Sequence, residues 1–234
     1  MSASRLQGKP LLKINNLPII CHVVKKAKET GIGEVFVATE DNEIINAVEK
    51  DGGKTILTGK HKTGTDRIFE GFQKLKIKDV DYIINLQGDE PMIDPKDVIN
   101  LNNLMFKNNL DIGTLASKIK KDSIFYNENI VKVITKEKLE NHNFTRALSF
   151  SRKILPKENF NIYHHIGIYA YKVSVLKKLI ILDQTKNEID NSLEQLRALD
   201  NNIKIMVALA NSSPISVDTE EDFLAIKKIM EYKS

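Results

Sequence analysis

Several short segments carry side chains whose types and spacing could do chemistry. Gln87-Gly88-Asp89-Glu90-Pro91 directly follows the apolar run Tyr82–Leu86. Ligands of open parallel sheets gather outside the carboxyl ends of strands, so the residues after a strand matter most. The glycine permits close backbone approach, and two carboxylates follow it. An aspartate there suits Mg2+ held against a phosphate, since Mg2+ takes one or two carboxylates plus phosphate oxygens and water. The alternative is a plain turn, because Gly-Asp and Pro are also loop residues. Near the N-terminus, Ser4-Arg5-Leu6-Gln7-Gly8-Lys9-Pro10-Leu11 sets two cations around a glycine. That pattern suits a phosphate cradle, or is simply a basic, frayed terminus. It lacks the second glycine and the Lys-Ser/Thr pair of a Walker A loop.

Thr63-Gly64-Thr65-Asp66-Arg67 leads into a helix and reads either as a cap or as amides that meet a base or ribose. His164 and His165 are adjacent, and neighbours on a strand face opposite ways. A shared zinc site is therefore rejected, and one histidine remains as a substrate donor. Ser151-Arg152 and Glu194-Gln195 are polar groups beside apolar runs, a pattern found at surfaces as well as in sites. Val217-Asp218-Thr219 puts a carboxylate just before the last helix, where it could also be a capping residue. The single cysteine, Cys21, can form no internal disulfide and reads as a buried helix residue.

These segments must be positioned by an α/β framework. Ile19, Ile20, Val23, Val24 and Ala27 recur on one helical face after Pro18, and Gly31 stops that helix. Residues 34–39 read as a buried strand, 42–50 as a helix, 54–58 as a strand, 65–75 as an amphipathic helix and 82–86 as a strand. That alternation predicts a parallel sheet. In the second half, 111–117, 131–135, 146–150, 165–171 and 203–208 read as strands. Several lack an intervening helix, so part of this half should be antiparallel. Residues 192–199 read as a helix. So do 219–232, opened by a capping box of Thr219 and Asp222.

Composition bounds the function. The 234 residues carry 35 Lys plus Arg against 31 Asp plus Glu, a net charge of +4. That excess suits anionic substrates but is too small to indicate nucleic acid. There is no tryptophan, and nine Phe with six Tyr make a single-strand stacking platform unindicated. No apolar run approaches the ~20 residues a membrane span needs, and Met1–Pro10 has no apolar core like a signal peptide's. A reducing cytoplasm is the expected location.

Together the motifs are specific. Arg5-Leu6-x-Gly8-Lys9-Pro10-Leu11, Val37-Ala38-Thr39, Gly64-Thr65-x-Arg67, Gln87-Gly88-Asp89-Glu90-Pro91, Phe150-Ser151-Arg152, His165-Ile166-Gly167-Ile168-Tyr169, Leu193-Glu194-Gln195-Leu196-Arg197 and Val217-Asp218-Thr219 stand in this order. From about Ala3 to the C-terminus the chain resembles the 3-deoxy-manno-octulosonate (Kdo) cytidylyltransferase family. The resemblance implies a nucleotide-diphospho-sugar-transferase-like three-layer α/β sandwich with a mostly parallel sheet, plus a smaller mixed or antiparallel dimerisation lobe. It implies one cytidylyltransferase domain over 1–234, with a nucleotide-binding half at about 1–110 and a sugar-binding and dimerisation part at about 111–234. The implied reaction is CTP plus Kdo giving CMP-Kdo and pyrophosphate, in a homodimer, with Mg2+. By resemblance, Arg5 and Lys9 hold the triphosphate, and Asp89 and Asp218 carry the metal. Arg5, Lys9 and Asp89 form the catalytic set. Gly64, Thr65 and Arg67 lie along the cytidine. Gln87, Arg152, His165, Tyr169, Glu194 and Gln195 line the sugar-acid pocket. An arginine suits the Kdo carboxylate because its fork binds two oxygens at once.

The chain departs from the family pattern at its start. Family members open with an apolar strand and isoleucine-proline-alanine-arginine, whereas this chain begins almost at Arg5. The expectation is a native protein longer by one strand, or an inactive remnant whose sheet edges go unpaired. Gln7 stands where the family usually has proline, and Glu40 where aspartate is usual. Synthetases for sialic acid or for an 8-amino relative of Kdo are the alternative readings. The Arg-Leu-x-Gly-Lys and Gln-Gly-Asp-Glu-Pro forms favour Kdo over sialic acid.

Overall fold

The computed structural model describes residues 6, 8–141, 143–153 and 160–232. The expected triphosphate ligand Arg5 lies outside the described residues. The chain divides into two compact units: one drawn from Met1–Lys78, Leu86–Lys96 and Pro214–Ser234, the other from Asp79–Asn85 and Asp97–Ser213. The C-terminal segment thus belongs with the N-terminal one, a grouping that no division of the sequence near residue 110 produces.

In the first unit, Gly8 takes a left-handed φ of 67° and starts a 3-10 turn, Lys9–Leu11. Strands β1 (Lys13–Ile14) and β2 (Leu17–Pro18) pair antiparallel. The hairpin between them turns through Asn15 and Asn16, both at positive φ, as a type I′ turn requires. Pro18 is the N-cap of helix α1 (Ile19–Glu29). The predicted face of α1 is the buried one: Ile19, Ile20, Val23, Val24 and Ala27 all lie inside. Strand β3 (Val37–Thr39), helix α2 (Asn42–Lys50) and strand β4 (Thr55–Leu57) form a parallel β-α-β unit, followed by α3 (Gly64–Leu75). Asp41 caps α2 by accepting from Glu43 N at 2.8 Å, and Thr63 caps α3 by accepting from Asp66 N at 3.2 Å. The C-terminal helix, Glu220–Tyr232, starts with the predicted capping box: Thr219 Oγ1 accepts from Asp222 N (3.1 Å), and Asp222 Oδ2 from Thr219 N (2.9 Å). Its Ile226 packs with Ile14, Ile19 and Val217 in a core fully closed to solvent. At about 1.5–3 kcal/mol per buried aliphatic side chain, these contacts tie the two chain ends into one unit.

The second unit holds strands β5 (Tyr82–Asn85), β6 (Ile112–Ser117), β7 (Lys132–Thr135), β8 (Phe144–Ser151), β9 (Asn161–Lys172) and β10 (Ile205–Leu209). Helices α4 (Pro95–Asn108, in this unit from Asp97), α5 (Ser123–Tyr126), α6 (Val173–Leu179), α7 (Lys186–Asn191) and α8 (Leu196–Asp200) accompany them. The strands form one sheet in the order β5-β9-β6-β10-β8-β7, with β9 also paired to β7. Here the expectation of a mostly parallel sheet is corrected. Among the described residues of this sheet only β6–β10 runs parallel; β9 runs antiparallel between β5 and β6, and β8 antiparallel beside β10. A twelve-residue strand inserted between others reverses both of its neighbouring pairings, which local alternation cannot foretell. The helix expected over 192–199 is also shorter. Ser192 is the left-handed C-cap of α7, and α8 starts only at Leu196. Among the described residues no helix is long and apolar enough to cross a membrane.

Candidate active site

Three predicted residues of the first unit meet. The Lys9 ammonium pairs with Asp89 and lies 3.2 Å from Asp218 Oδ1. The Asp89 backbone carbonyl also accepts from Val217 N at 3.0 Å, so main-chain bonding registers the two aspartate-bearing segments. Burial alone would lower the Lys9 pKa, but Asp89 and then Asp218 outweigh it and hold it above the usual lysine value. At Gly88 a Cβ would lie 3.0 Å from Ile20 Cδ1, so the glycine lets helix α1 pack closely under this turn. Glu90, which follows Asp89, is buried, and among the described residues its Oε2 has no hydrogen-bond partner. Burial, reinforced by Asp89 and Asp218, pushes its carboxyl up to about 8, so at neutral pH it is mainly an uncharged acid. With Glu90 neutral, Asp89 and Asp218 exceed the Lys9 charge by one negative unit. Two hard carboxylates that converge on one cation are a donor set that suits Mg2+. Among the described residues no third acidic, His or Cys ligand completes a metal cluster, so phosphate oxygens and water would fill the remaining positions.

The predicted nucleotide residues open α3. Gly64 and Thr65 form its first turn, with Thr65 buried, and Arg67 pairs with Glu40. Glu40, the position where the family usually has aspartate, thus orients the Arg67 guanidinium. The loop before α3 is tied down by Glu70, which accepts from Gly59 N at 3.0 Å, pairs with His61 and takes Lys74 Nζ at 2.7 Å. Cys21 is buried as expected, and burial raises its thiol pKa. Gln87 also belongs to the first unit, whereas Arg152, His165, Tyr169, Glu194 and Gln195 belong to the second.

In the second unit, a register shift in the β6–β9 ladder falls between Thr114 and Leu115. Thr114 pairs with Tyr169 and Leu115 with Ile166, so Gly167 and Ile168 bulge out. The Thr114 hydroxyl donates to Ile168 O at 2.7 Å and stands 3.1 Å from His165 Nε2. Its one proton is committed, so His165 Nε2–H is the donor to Thr114. The His165 ring lies edge-on to Phe150 (centroids 5.0 Å) and 5.5 Å from the Tyr169 ring. The Tyr169 hydroxyl is buried beside the Thr114 side chain. Burial, then Tyr171 and Glu194, raise its pKa well above the usual value. Glu194 therefore acts on the same locale. His164 faces the other way, with Nδ1 3.0 Å from Ser213 Oγ, as the rejection of a shared metal requires. Arg152 donates to the carbonyls of Asn129 (2.9 Å) and Glu128 (3.3 Å). Two structural supports escape sequence reading: Thr114, a plain β-branched strand residue, and the buried ion pair Glu188–Arg197, which braces the Glu194-Gln195 segment.

Burial drives His165 down to about 3. A depressed histidine stabilises the fold fully above its unfolded pKa near 6.5, and that contribution is lost as pH falls toward the folded value. Between pH 7.5 and 4.5 this residue should lower the unfolding free energy by about 2–3 kcal/mol. Urea unfolding of the wild type and His165→Gln at both pH values tests this; an equal fall in both proteins refutes it.

A family model described as Cytidylyltransferase matches residues 1–205. The chain is 43% identical to the 3-deoxy-manno-octulosonate cytidylyltransferase of Thermodesulfovibrio yellowstonii, over 97% of this chain and 94% of that one. It is 38% identical to the enzyme of the same name from Bartonella tribocorum, over 98% and 95%. A solved structure described as CMP:2-keto-3-deoxy-manno-octonic acid synthetase complexed with CTP superposes with a TM-score of 0.87 at 36% identity, covering 99% of this chain and 95% of that one. An apo UDP-glucose pyrophosphorylase shares the fold at 14% identity and a TM-score of 0.71. The ordered motifs, the α/β fold and identity over nearly the full length agree: the chain belongs to the 3-deoxy-manno-octulosonate cytidylyltransferase family.

Proposed function

We propose that this protein is a CMP-Kdo synthetase, which joins CTP and 3-deoxy-D-manno-octulosonate and releases pyrophosphate, so activating Kdo for lipopolysaccharide synthesis. The convergence of Lys9, Asp89 and Asp218 in a chain 43% identical to a 3-deoxy-manno-octulosonate cytidylyltransferase carries the reading. The sugar hydroxyl attacks the α-phosphorus in line, and the bond to the β-phosphate oxygen breaks. Little covalent chemistry falls to the protein, whose work is positioning and charge neutralisation. Lys9, with Arg5, holds the triphosphate. Gly64, Thr65 and Arg67 lie along the cytidine. Asp89 and Asp218 would hold Mg2+, which offsets the charge that builds on the α-phosphate and the leaving pyrophosphate. Arg152, His165, Tyr169, Glu194 and Gln195 of the second unit receive the sugar acid. Arg152 takes its carboxylate, and neutral His165 offers hydrogen bonds without adding charge. The first unit serves as the nucleotide part and the second as the sugar and dimerisation part of one cytidylyltransferase domain. The protein acts as a cytoplasmic homodimer, and exposed Leu148 and Phe160 of the second unit are apolar groups that such an interface would cover.

Pyrophosphate release from CTP, measured in parallel with Kdo, its 8-amino analogue and sialic acid, tests the reading. The expected result is release with Kdo, abolished by a chelator and restored by Mg2+. Release with the amino analogue alone would redirect the assignment, since one or two pocket residues can read a hydroxyl-to-amine change. No release with any of the three would overturn it.

A further inference from the structure

Among the described residues, Lys132 is the largest fully buried side chain, and no carboxylate is hydrogen-bonded to its ammonium. Instead its three donors go to three backbone carbonyls: Asn127 (2.9 Å), Ile130 (3.0 Å) and Arg152. The two carbonyls between them, Glu128 and Asn129, are those that the Arg152 guanidinium holds. Four consecutive carbonyls, 127 to 130, thus face two cations. Burial, then the Arg152 charge, depress the Lys132 pKa, against a weaker opposing pull from the Glu128 charge. The nearby carboxylate, Glu128, is exposed and pairs with Lys153 at 3.4 Å. The sheet register puts Lys132 between Ser151, which precedes Arg152, and His164, which precedes His165. The His165 amide also donates to Val131 O at 3.0 Å.

A solvated surface arginine needs no such frame. A buried lysine is costly, and spending all three of its donors on the main chain around one arginine fixes where that arginine starts. The positive charge left over is complemented by an anion arriving at Arg152. We propose that Lys132 is a positioning residue for the substrate carboxylate: it holds the 127–130 turn and the Arg152 backbone so that the guanidinium is presented to the sugar acid. The 128–129 carbonyls are the resting place from which the carboxylate draws that guanidinium. The inference rests on the functional reading above, and extends it to a residue outside the expected pocket.

The test is a kinetic double-mutant cycle on the full chain. Lys132→Met keeps the stem and removes the donors. It should raise KM for Kdo about ten-fold, the scale of one charge-assisted hydrogen bond, and leave KM for CTP within about two-fold. In an Arg152→Ala background the same substitution should change KM for Kdo by less than about two-fold, because the group it positions is gone. Lys132→Arg keeps the charge but displaces the donors. It should give an intermediate KM, and it supplies the cycle if the methionine variant is not recovered folded. Equal effects in both backgrounds, or parallel changes for CTP and Kdo, would make Lys132 a packing residue and overturn the inference alone. Absence of Kdo turnover by the wild-type chain would overturn the functional reading, and this inference with it.

Discussion

Asp89→Asn should reduce the maximal rate of pyrophosphate release by about 10²–10³-fold, the range seen when one stabilising group at a charged transition state is removed. The substitution keeps size and shape but removes one of the two charges that converge on Lys9. Asp89 should matter more than Asp218, because its side chain is 19% exposed against 45%, and a shielded charge acts through less water. Raising Mg2+ should recover part of the Asp218→Asn rate and little of the Asp89→Asn rate. The fold should survive, because the Asp89 bond to Val217 N uses the backbone carbonyl and not the side chain. Matched thermal melts with a rate within about three-fold of wild type would remove Asp89 from the metal role.

The largest expected loss of stability comes from Arg197→Met. Arg197 Nε and Nη2 lie 2.8 and 2.6 Å from the two oxygens of Glu188, and both side chains are under 5% exposed. Removing one partner of such a pair strands the other charge, at about 3–5 kcal/mol. For a chain of this size that lowers the melting temperature by roughly 10 °C. Glu188 also closes the capping box of α7 with Thr185 and accepts from Gln184 Nε2 at 3.1 Å, so the stranded carboxylate disturbs a whole turn. The double variant Glu188→Leu/Arg197→Met should regain much of the loss, because a well-packed apolar pair carries no buried charge. It should not regain all of it, since the α7 cap is gone. A single variant within about 1 kcal/mol of wild type would show that the pair is solvated in solution.

What the sequence determined by itself is local. The apolar spacing from Ile19 to Ala27 marks the buried face of α1, and Thr219 with Asp222 marks the start of the last helix. Asn42–Lys50 has the bounds its pattern predicts. Such features are legible because periodicity and caps involve residues within a turn or two of each other. The eight ordered motifs also carry the family, but only as a resemblance, since no spacing says that Lys9 and Asp218 meet across 209 residues. That meeting is a tertiary decision, made where the chain ends share the core of Ile14, Ile19, Val217 and Ile226. So is the antiparallel course of β9. A regular strand would hold positions 165 and 169 about 13 Å apart. The bulge opposite Thr114 brings their rings to 5.5 Å. The burial of Lys132 is the clearest case. Its sequence context, Val131-Lys132-Val133, reads as an alternating strand with a solvated lysine. Two neighbouring strands and one turn of carbonyls make it an interior residue, because backbone dipoles, which the sequence does not spell out, supply its partners.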